Sequence, residues 1–425
     1  MSEIKSFFDS YYHTLDTLSF EKGAKGVPLR TKPEGKYSLF TDIPLPAAVV
    51  SETAITHNAH WMQRFANQSE VLLAPHGKTT MSPQLFKAQI EQGAWGLTLA
   101  TPAQAQVAAE AGAKRIILAN QIVGLANINA VLDIIEHYRI EIYPCIDSQY
   151  LAEQWQSAAN ARNLQVTMLV ELGVPGGRCG CRTHEQVKAL AEYIAHSSHL
   201  QFAGIEFYEG VIHAEHESDD VEPAVREFIS GAVTLAESLI PLSALDKPIV
   251  TGAGSAWYDV VAEAFTGKTR LTTIIRPGCY LIHDDGIYLE AQNAVMERAQ
   301  RDGSTACRLD GDLVSALTLY AHVISVPEKD KAIIGLGKRD VAFDAGLPRA
   351  IRLYRDGQPL PLPELTSTDI MDQHLFLEVM QEDTLQVGDI LVFSTSHPCL
   401  TFDKWRYIGV ETEPDTITKW ITTYF

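Results

Sequence analysis

The chain has 425 residues, 46% hydrophobic and 20% charged, the make-up of a globular protein large enough for two or three domains. A formal net charge of -19 argues against nucleic acid and against an anionic membrane surface as partners, since both favour a basic face. No apolar run reaches the length of a membrane span, the first residues lack a signal peptide's charged flank and greasy core, and the six cysteines show no paired CxxC spacing, so reduced thiols in a cytoplasm are expected.

Residues 1–45 carry Gly23, Gly26, Pro28, Pro33 and Gly35, turn markers rather than a helix pattern, and are expected to pack on the C-terminal part of the chain. From 46 to 285, runs rich in Val, Ile and Leu alternate with helix-patterned segments. Strands are expected at 71–75, 95–100, 115–119, 141–146, 166–172, 203–208, 248–252 and 271–276. Ser82-Pro83 and Thr101-Pro102 each open a helix with a capping side chain and a proline at the first turn. Eight strands without alternation, each followed by a helix, predict an α/β fold of the (β/α)8 TIM barrel type. An open doubly wound sheet is the alternative, but no GxGxxG follows the first strand. From 286 to 425 the pattern changes to short strand-like runs at 313–325, 331–337, 350–355, 374–380 and 389–393, punctuated by glycines, with no long helix pattern. A separate C-terminal all-β domain is expected there.

In such barrels chemistry sits at the C-terminal ends of the strands. The first strand runs directly into Pro75-His76-Gly77-Lys78, which places Lys78 at the mouth, although most lysines in such loops are merely solvated. The seventh ends in Thr251-Gly252-Ala253-Gly254-Ser255 just before a helix. Glycines and helix-start N–H groups there suit a phosphate, though the same loop also reads as a tight turn. The eighth end, Arg276-Pro277-Gly278-Cys279-Tyr280, adds a glycine and a tyrosine. A barrel lysine facing a phosphate site suggests a Schiff-base lysine and pyridoxal 5'-phosphate (PLP). Arg178 would reach the cofactor or a substrate carboxylate, or else is a solvent-facing loop arginine. Cys179-Gly180-Cys181 lacks a second ligand pair and is weak evidence for zinc. His213 and His216 either line the site or belong to an exposed acidic loop. Far along the chain, His397-Pro398-Cys399 places an imidazole and a thiol two apart, on one side if the segment is extended. The pair suits Zn2+ with open coordination positions, but two such residues also fall together by chance.

Taken together, Pro75-His76-Gly77-Lys78-Thr79-Thr80, Gly93-Ala94-Trp95-Gly96, Leu118-Ala119-Asn120-Gln121, Thr251-Gly252-Ala253-Gly254, Arg276-Pro277-Gly278-Cys279-Tyr280 and His397-x-Cys399 resemble the D-serine dehydratase / D-threonine aldolase family, whose barrel is of the alanine racemase type. The resemblance runs from about residue 43 to about residue 410. It implies a PLP enzyme acting on β-hydroxy D-amino acids, with Lys78 as the Schiff-base lysine. By the same resemblance Thr251, Gly252, Gly254, Ser255, Gly278, Cys279 and Tyr280 hold the phosphate, Arg178 and Tyr208 are partners of the cofactor ring, and His397 and Cys399 are ligands of Zn2+ or another divalent metal. Aldolases of the family more often carry His-x-Asp at the metal motif, so Cys399 leans the expectation toward a dehydratase releasing a 2-oxo acid and ammonia from D-serine or a related substrate. The resemblance also implies a homodimer in which one chain's β-domain closes the partner's barrel, though a site within one chain fits the sequence equally well. A D-threonine aldolase and an amino-acid racemase are the competing activities. A PLP-carrying protein without activity fits less well, because such proteins lack a β-domain.

Overall fold

The computed structural model describes residues 24–32, 34–213, 220–381 and 384–425. Strands β1 (Tyr37–Ser38) and β2 (Ala47–Ser51) and helix α1 (Glu52–Gln68) come first. An alternating series follows: β3 (Leu72–Leu73), α2 (Pro83–Glu91), β4 (Leu97–Leu99), α3 (Pro102–Glu110), β5 (Arg115–Gln121), α4 (Leu125–Tyr138), β6 (Glu141–Ile146) and α5 (Gln149–Arg162). It continues with β7 (Val166–Leu172), α6 (His184–Ala195), β8 (Leu200–Phe207), α7 (Glu222–Ser238), β9 (Ile249–Gly252), α8 (Tyr258–Phe265) and β10 (Thr272–Ile275).

Strands β3 to β10 form one parallel eight-stranded sheet, and a bridge between His76 and Thr98 joins the end of β3 to β4 and closes the ring. These are the eight strands expected from the sequence. Strand β3 is short because Pro75 has no N–H to continue the ladder, although its carbonyl still accepts the Thr98 N–H. Side chains of Ala74, Ile117, Cys145, Leu169, Ala203, Ile249 and Ile274 pack together inside the ring, so the barrel has a filled core rather than a pore. The helix starts follow their sequence signals. Thr101 accepts the Gln104 N–H ahead of Pro102, and Thr183 with Gln186 makes a reciprocal capping box.

Beyond the barrel come α9 (Ile287–Asp302), then β11 (Leu317–Glu328), β12 (Lys331–Ile334), β13 (Arg349–Arg355), β14 (Gln358–Leu360), β15 (Leu365–Ile370), β16 (Leu375–Val379) and β17 (Ile390–Ser394). The chain ends with α10 (Cys399–Phe402), β18 (Tyr407–Glu413) and β19 (Thr416–Thr422). Helix α9 corrects the expectation of no long helix after residue 285. Its buried face includes Gln292 and Arg298, which bond Tyr258 and Asp259, so it carries little apolar periodicity. Strand β2 also differs from the sequence reading. It pairs with β11 and β18 in the second sheet, and β1 pairs with β19, so the stretch before the barrel is woven into the β-rich part. Among the described residues no helix is long and apolar enough to cross a membrane.

Asn58 of α1 joins the two parts. Its buried amide donates to the carbonyls of Leu281 and Val314 at 3.1 and 2.7 Å and accepts the Val314 N–H at 2.9 Å. The barrel's last turn and the approach to β11 are thereby pinned to one helix. Replacing Asn58 with leucine strands three backbone groups, each costing about 1–3 kcal/mol when buried without a partner. The Asn58→Leu protein is therefore expected to unfold at clearly lower urea concentration. An unchanged midpoint would mean that this junction carries no stability.

Candidate active site

At the C-terminal end of the barrel lies a cavity of about 310 Å3. Its wall includes His76, Lys78, Thr79, Glu171, Arg178, Glu206 and Tyr208, and across from them Gly254, Ser255, Arg276, Gly278, Cys279 and Tyr288. Lys78 sits in the single turn Gly77–Thr79 that follows β3. Its side chain is exposed to the cavity and makes no hydrogen bond or ion pair among the described residues. Burial, with the charges of Lys78, Arg276 and Arg178 nearby, holds the His76 imidazole well below its usual range, so it is neutral.

Arg178 lies on the loop after β7. Arg182 braces that loop, donating to the carbonyls of Cys179 and Gly180 at 2.8 Å each. The Arg178 guanidinium stands 4.5 Å over the Tyr208 ring, a cation–π contact at the cavity wall. Tyr208 in turn leans on the loop after β9. A Cβ at Gly254 would meet its Cε2 at 2.7 Å, so a side chain there would displace the ring. Cys179 lines the cavity, whereas the Cys181 thiol donates to the Asp147 carbonyl.

The glycine loop is held from behind. The N–H groups of Ala253 and Gly254 donate to the fully buried Glu209 carboxylate at 3.1 and 3.0 Å. Those two donors are therefore occupied. The N–H groups of Ser255, Gly278 and Cys279 have no partner among the described residues, and all three residues line the cavity. An anion cradle is thus available from Ser255 and the Gly278-Cys279 turn. Thr251, Gly252 and Tyr280 are not brought to the wall. Thr251 is wholly buried, and the Tyr280 hydroxyl accepts from Gln89 in the core at 3.0 Å. His213 is exposed, and His216 lies outside the described residues.

The floor carries a buried ion pair that the sequence reading did not single out. Arg276 donates to Glu206 and to the Phe207 carbonyl, while Arg276 Nε and Glu206 Oε2 remain buried without partners. Beside them, Glu171 accepts from Gln121 at 2.6 Å. Burial and the neighbouring Glu206 push its carboxyl up to about 8. The signal for this trio was its place at the ends of β7, β8 and β10, but nothing in the sequence paired the charges.

The late motif packs within one chain against Thr79 and Cys279 of the cavity wall. Thr395 accepts the Asp285 N–H at 3.3 Å, docking the segment at the barrel mouth. Cys399 is not in an extended segment. It opens α10, and its thiol lies 3.5 Å from Thr79 Oγ1 and 3.4 Å from Cys279 Sγ. Hydrogen bonds from Cys279, His397 and Thr79, against the effect of burial, hold the Cys399 thiol well below its usual range. Neighbouring Cys399, against the effect of burial, and the Asp344 carboxylate bonded to Nδ1 at 2.7 Å lift the His397 ring to about 9. Tyr288, whose N–H donates to Asp284 at the start of α9, completes this side.

The donors fit the two groups that the sequence implied. Unpaired N–H groups beside a lysine suit a phosphorylated aldehyde cofactor such as PLP. A thiolate next to an imidazole whose other nitrogen faces a carboxylate is the donor chemistry of a soft divalent metal. Among the described residues, however, no three His, Cys, Asp or Glu side chains already converge as a metal cage.

Residues 50–284 match the family model described as the alanine racemase N-terminal domain, and residues 316–410 match that of a serine dehydratase domain. A D-threonine aldolase of Arthrobacter sp. is 27% identical over 368 residues, covering 85% of this chain and 87% of that protein. The crystal structure of D-threonine aldolase from Filomicrobium marinum is similar in fold, with a TM-score of 0.73, 20% identity, and coverage of 90% of this chain and 95% of that one. D-threo-3-hydroxyaspartate dehydratase from Delftia sp. superposes with a TM-score of 0.70 and 20% identity, over 91% of this chain and 99% of that one.

The raised Glu171 carboxyl has a sign that can be measured. In the unfolded chain it ionises near its ordinary value of 4.5, whereas the fold keeps its proton to about 8. Between those values only the unfolded chain has lost the proton, so this group makes stability fall as pH rises. Cofactor-free Glu171→Gln protein is expected to lose less thermal stability than the unaltered protein between pH 5 and pH 8. Equal losses would place the Glu171 proton elsewhere.

Proposed function

The chain belongs to the family defined by the alanine racemase N-terminal domain, and within it we propose a PLP-dependent lyase that removes the β-hydroxyl of D-serine or a related β-hydroxy D-amino acid, aided by Zn2+. The observation that carries this reading is the position of Cys399. Its thiol lies 3.5 Å from the hydroxyl of Thr79, the residue after Lys78, so a soft-donor pair packs directly behind the wall that carries the base.

The cofactor, held on Lys78 with its phosphate at the N–H groups of Ser255, Gly278 and Cys279, would supply a sink for charge released at Cα. Once the substrate amine has displaced it from the cofactor aldehyde, the Lys78 amine, which has no competing partner among the described residues, takes the Cα proton. Arg276 and Glu206 line the cavity as a fixed polar pair, and neighbouring Arg178 offers a cation for a substrate carboxylate. His397 and Cys399 hold the metal, whose Lewis acidity would help a poor leaving group depart. Asp344 fixes the His397 ring for that task by accepting from Nδ1. The serine dehydratase domain match and the His-x-Cys form of the motif support elimination over carbon–carbon cleavage. Aldol cleavage is the second reading, and the similarity to the Arthrobacter aldolase favours it.

Purified protein given PLP and zinc is to be incubated with D-serine, D-threonine and D-threo-3-hydroxyaspartate, with and without a chelator. Keto acid and ammonia from D-serine or hydroxyaspartate, lost with the chelator, are expected. Glycine plus an aldehyde would favour the aldolase. Lys78→Ala should remove turnover by several orders of magnitude and abolish borohydride fixation of the cofactor. Fixation that persists in that variant would overturn the role given to Lys78.

A further inference from the structure

Cys279 lies where neither the phosphate cradle nor the proton transfers use its thiol. It sits in the turn Cys279–Leu281 after β10 and is 5% exposed. Its Sγ is 3.4 Å from the Sγ of Cys399, and both cysteines are free thiols. The hydroxyl of Thr79 stands 3.5 Å from each sulfur. Two thiols brought together from the turn after the last barrel strand and from a short helix far along the chain, and not joined as a disulfide, need a reason.

Bonds of about 2.3 Å to a tetrahedral zinc ion place two thiolate sulfurs roughly 3.8 Å apart. The spacing of Cys279 and Cys399 is close to that. We propose that Cys279 is a third protein ligand of the metal held by His397 and Cys399, giving a Cys2His set whose fourth position stays open for a water or the substrate hydroxyl. This rests on the metal reading made above. The two sulfurs already adjoin, and the His397 ring, two residues before Cys399, is held through Nδ1 by Asp344. As no three donors among the described residues yet close round one point, metal binding requires the ring to pivot about its Asp344 bond onto the pair. Thr79 and Tyr288, each bonded to Cys279, then act as donors to a metal-bound sulfur from outside the coordination sphere.

The ligand set has chemical consequences. Two thiolates favour zinc, cadmium or cobalt over magnesium or manganese, which prefer oxygen donors. A site with one thiolate and one imidazole would discriminate less.

Zinc-edge X-ray absorption of the zinc- and PLP-loaded protein counts the sulfur neighbours directly and needs no variant. Two sulfurs are expected, and one sulfur would overturn the proposal while leaving the metal site intact. No bound zinc would overturn the metal reading itself and this inference with it. As a second measurement, Cys279→Ser in the cobalt-substituted protein should lose about half of the thiolate-to-cobalt absorption. Its zinc affinity, read by chelator competition, should fall by roughly 10-fold or more, since even outer partners of metal ligands are worth that much. Retained PLP absorption in that variant confirms that it is folded. A folded variant with undiminished cobalt absorption and zinc affinity overturns the proposal.

Discussion

The contact on which the site depends joins Thr79 to the thiols of Cys279 and Cys399. It brings together the end of the first barrel strand, the end of the last, and a motif 320 residues beyond Thr79. A thiol and a hydroxyl 3.5 Å apart are worth little energy by themselves. Their importance is geometric, because the contact sets His397-x-Cys399, within one chain, behind the cavity wall that carries Lys78. The contact is in turn held from a distance. Asn58 fixes where the chain leaves the barrel for β11, and the docking of Thr395 on Asp285 fixes where it returns.

The electrostatics of the cavity are divided in the same way. On the barrel floor half-buried Glu171 lies beside buried Glu206 and its paired arginine, and desolvation with the charge of Glu206 drives Glu171 toward its neutral form. At the outer side the imidazole of His397 and the thiol of Cys399 stabilise each other's charged forms. Lys78 lies between an acidic floor and a soft-donor rim. Such a separation suits the proposed elimination, in which the base and the metal act on different atoms of the substrate.

Much of this was legible in the sequence because barrel strands are buried on both faces and announce themselves as apolar runs. All eight were readable, and so was the lysine at the first strand's end. Helix α9 was not, because its buried positions are filled by Gln292 and Arg298, whose partners are distant in sequence. Strands β18 and β19 were missed for a related reason: threonines and charged residues interrupt their alternation. At the site, the glycine loop was legible but its occupancy was not. No local pattern shows that Glu209 would take the N–H groups of Ala253 and Gly254, which shifts the anion cradle to Ser255 and the turn after β10. Tyr280 was misplaced because a tyrosine next to a glycine turn looks alike whether it faces the cavity or, as here, Gln89 in the core.

The most direct test of the account is whether Lys78 and the metal motif face each other in one molecule. Borohydride reduction of the PLP-loaded protein yields a fluorescent pyridoxyl label, which peptide mapping should locate on Lys78. One equivalent of cobalt should then quench that fluorescence in the unaltered protein and leave it unchanged in Cys399→Ala. A label on another lysine, or fluorescence indifferent to cobalt in both proteins, would contradict the shared site.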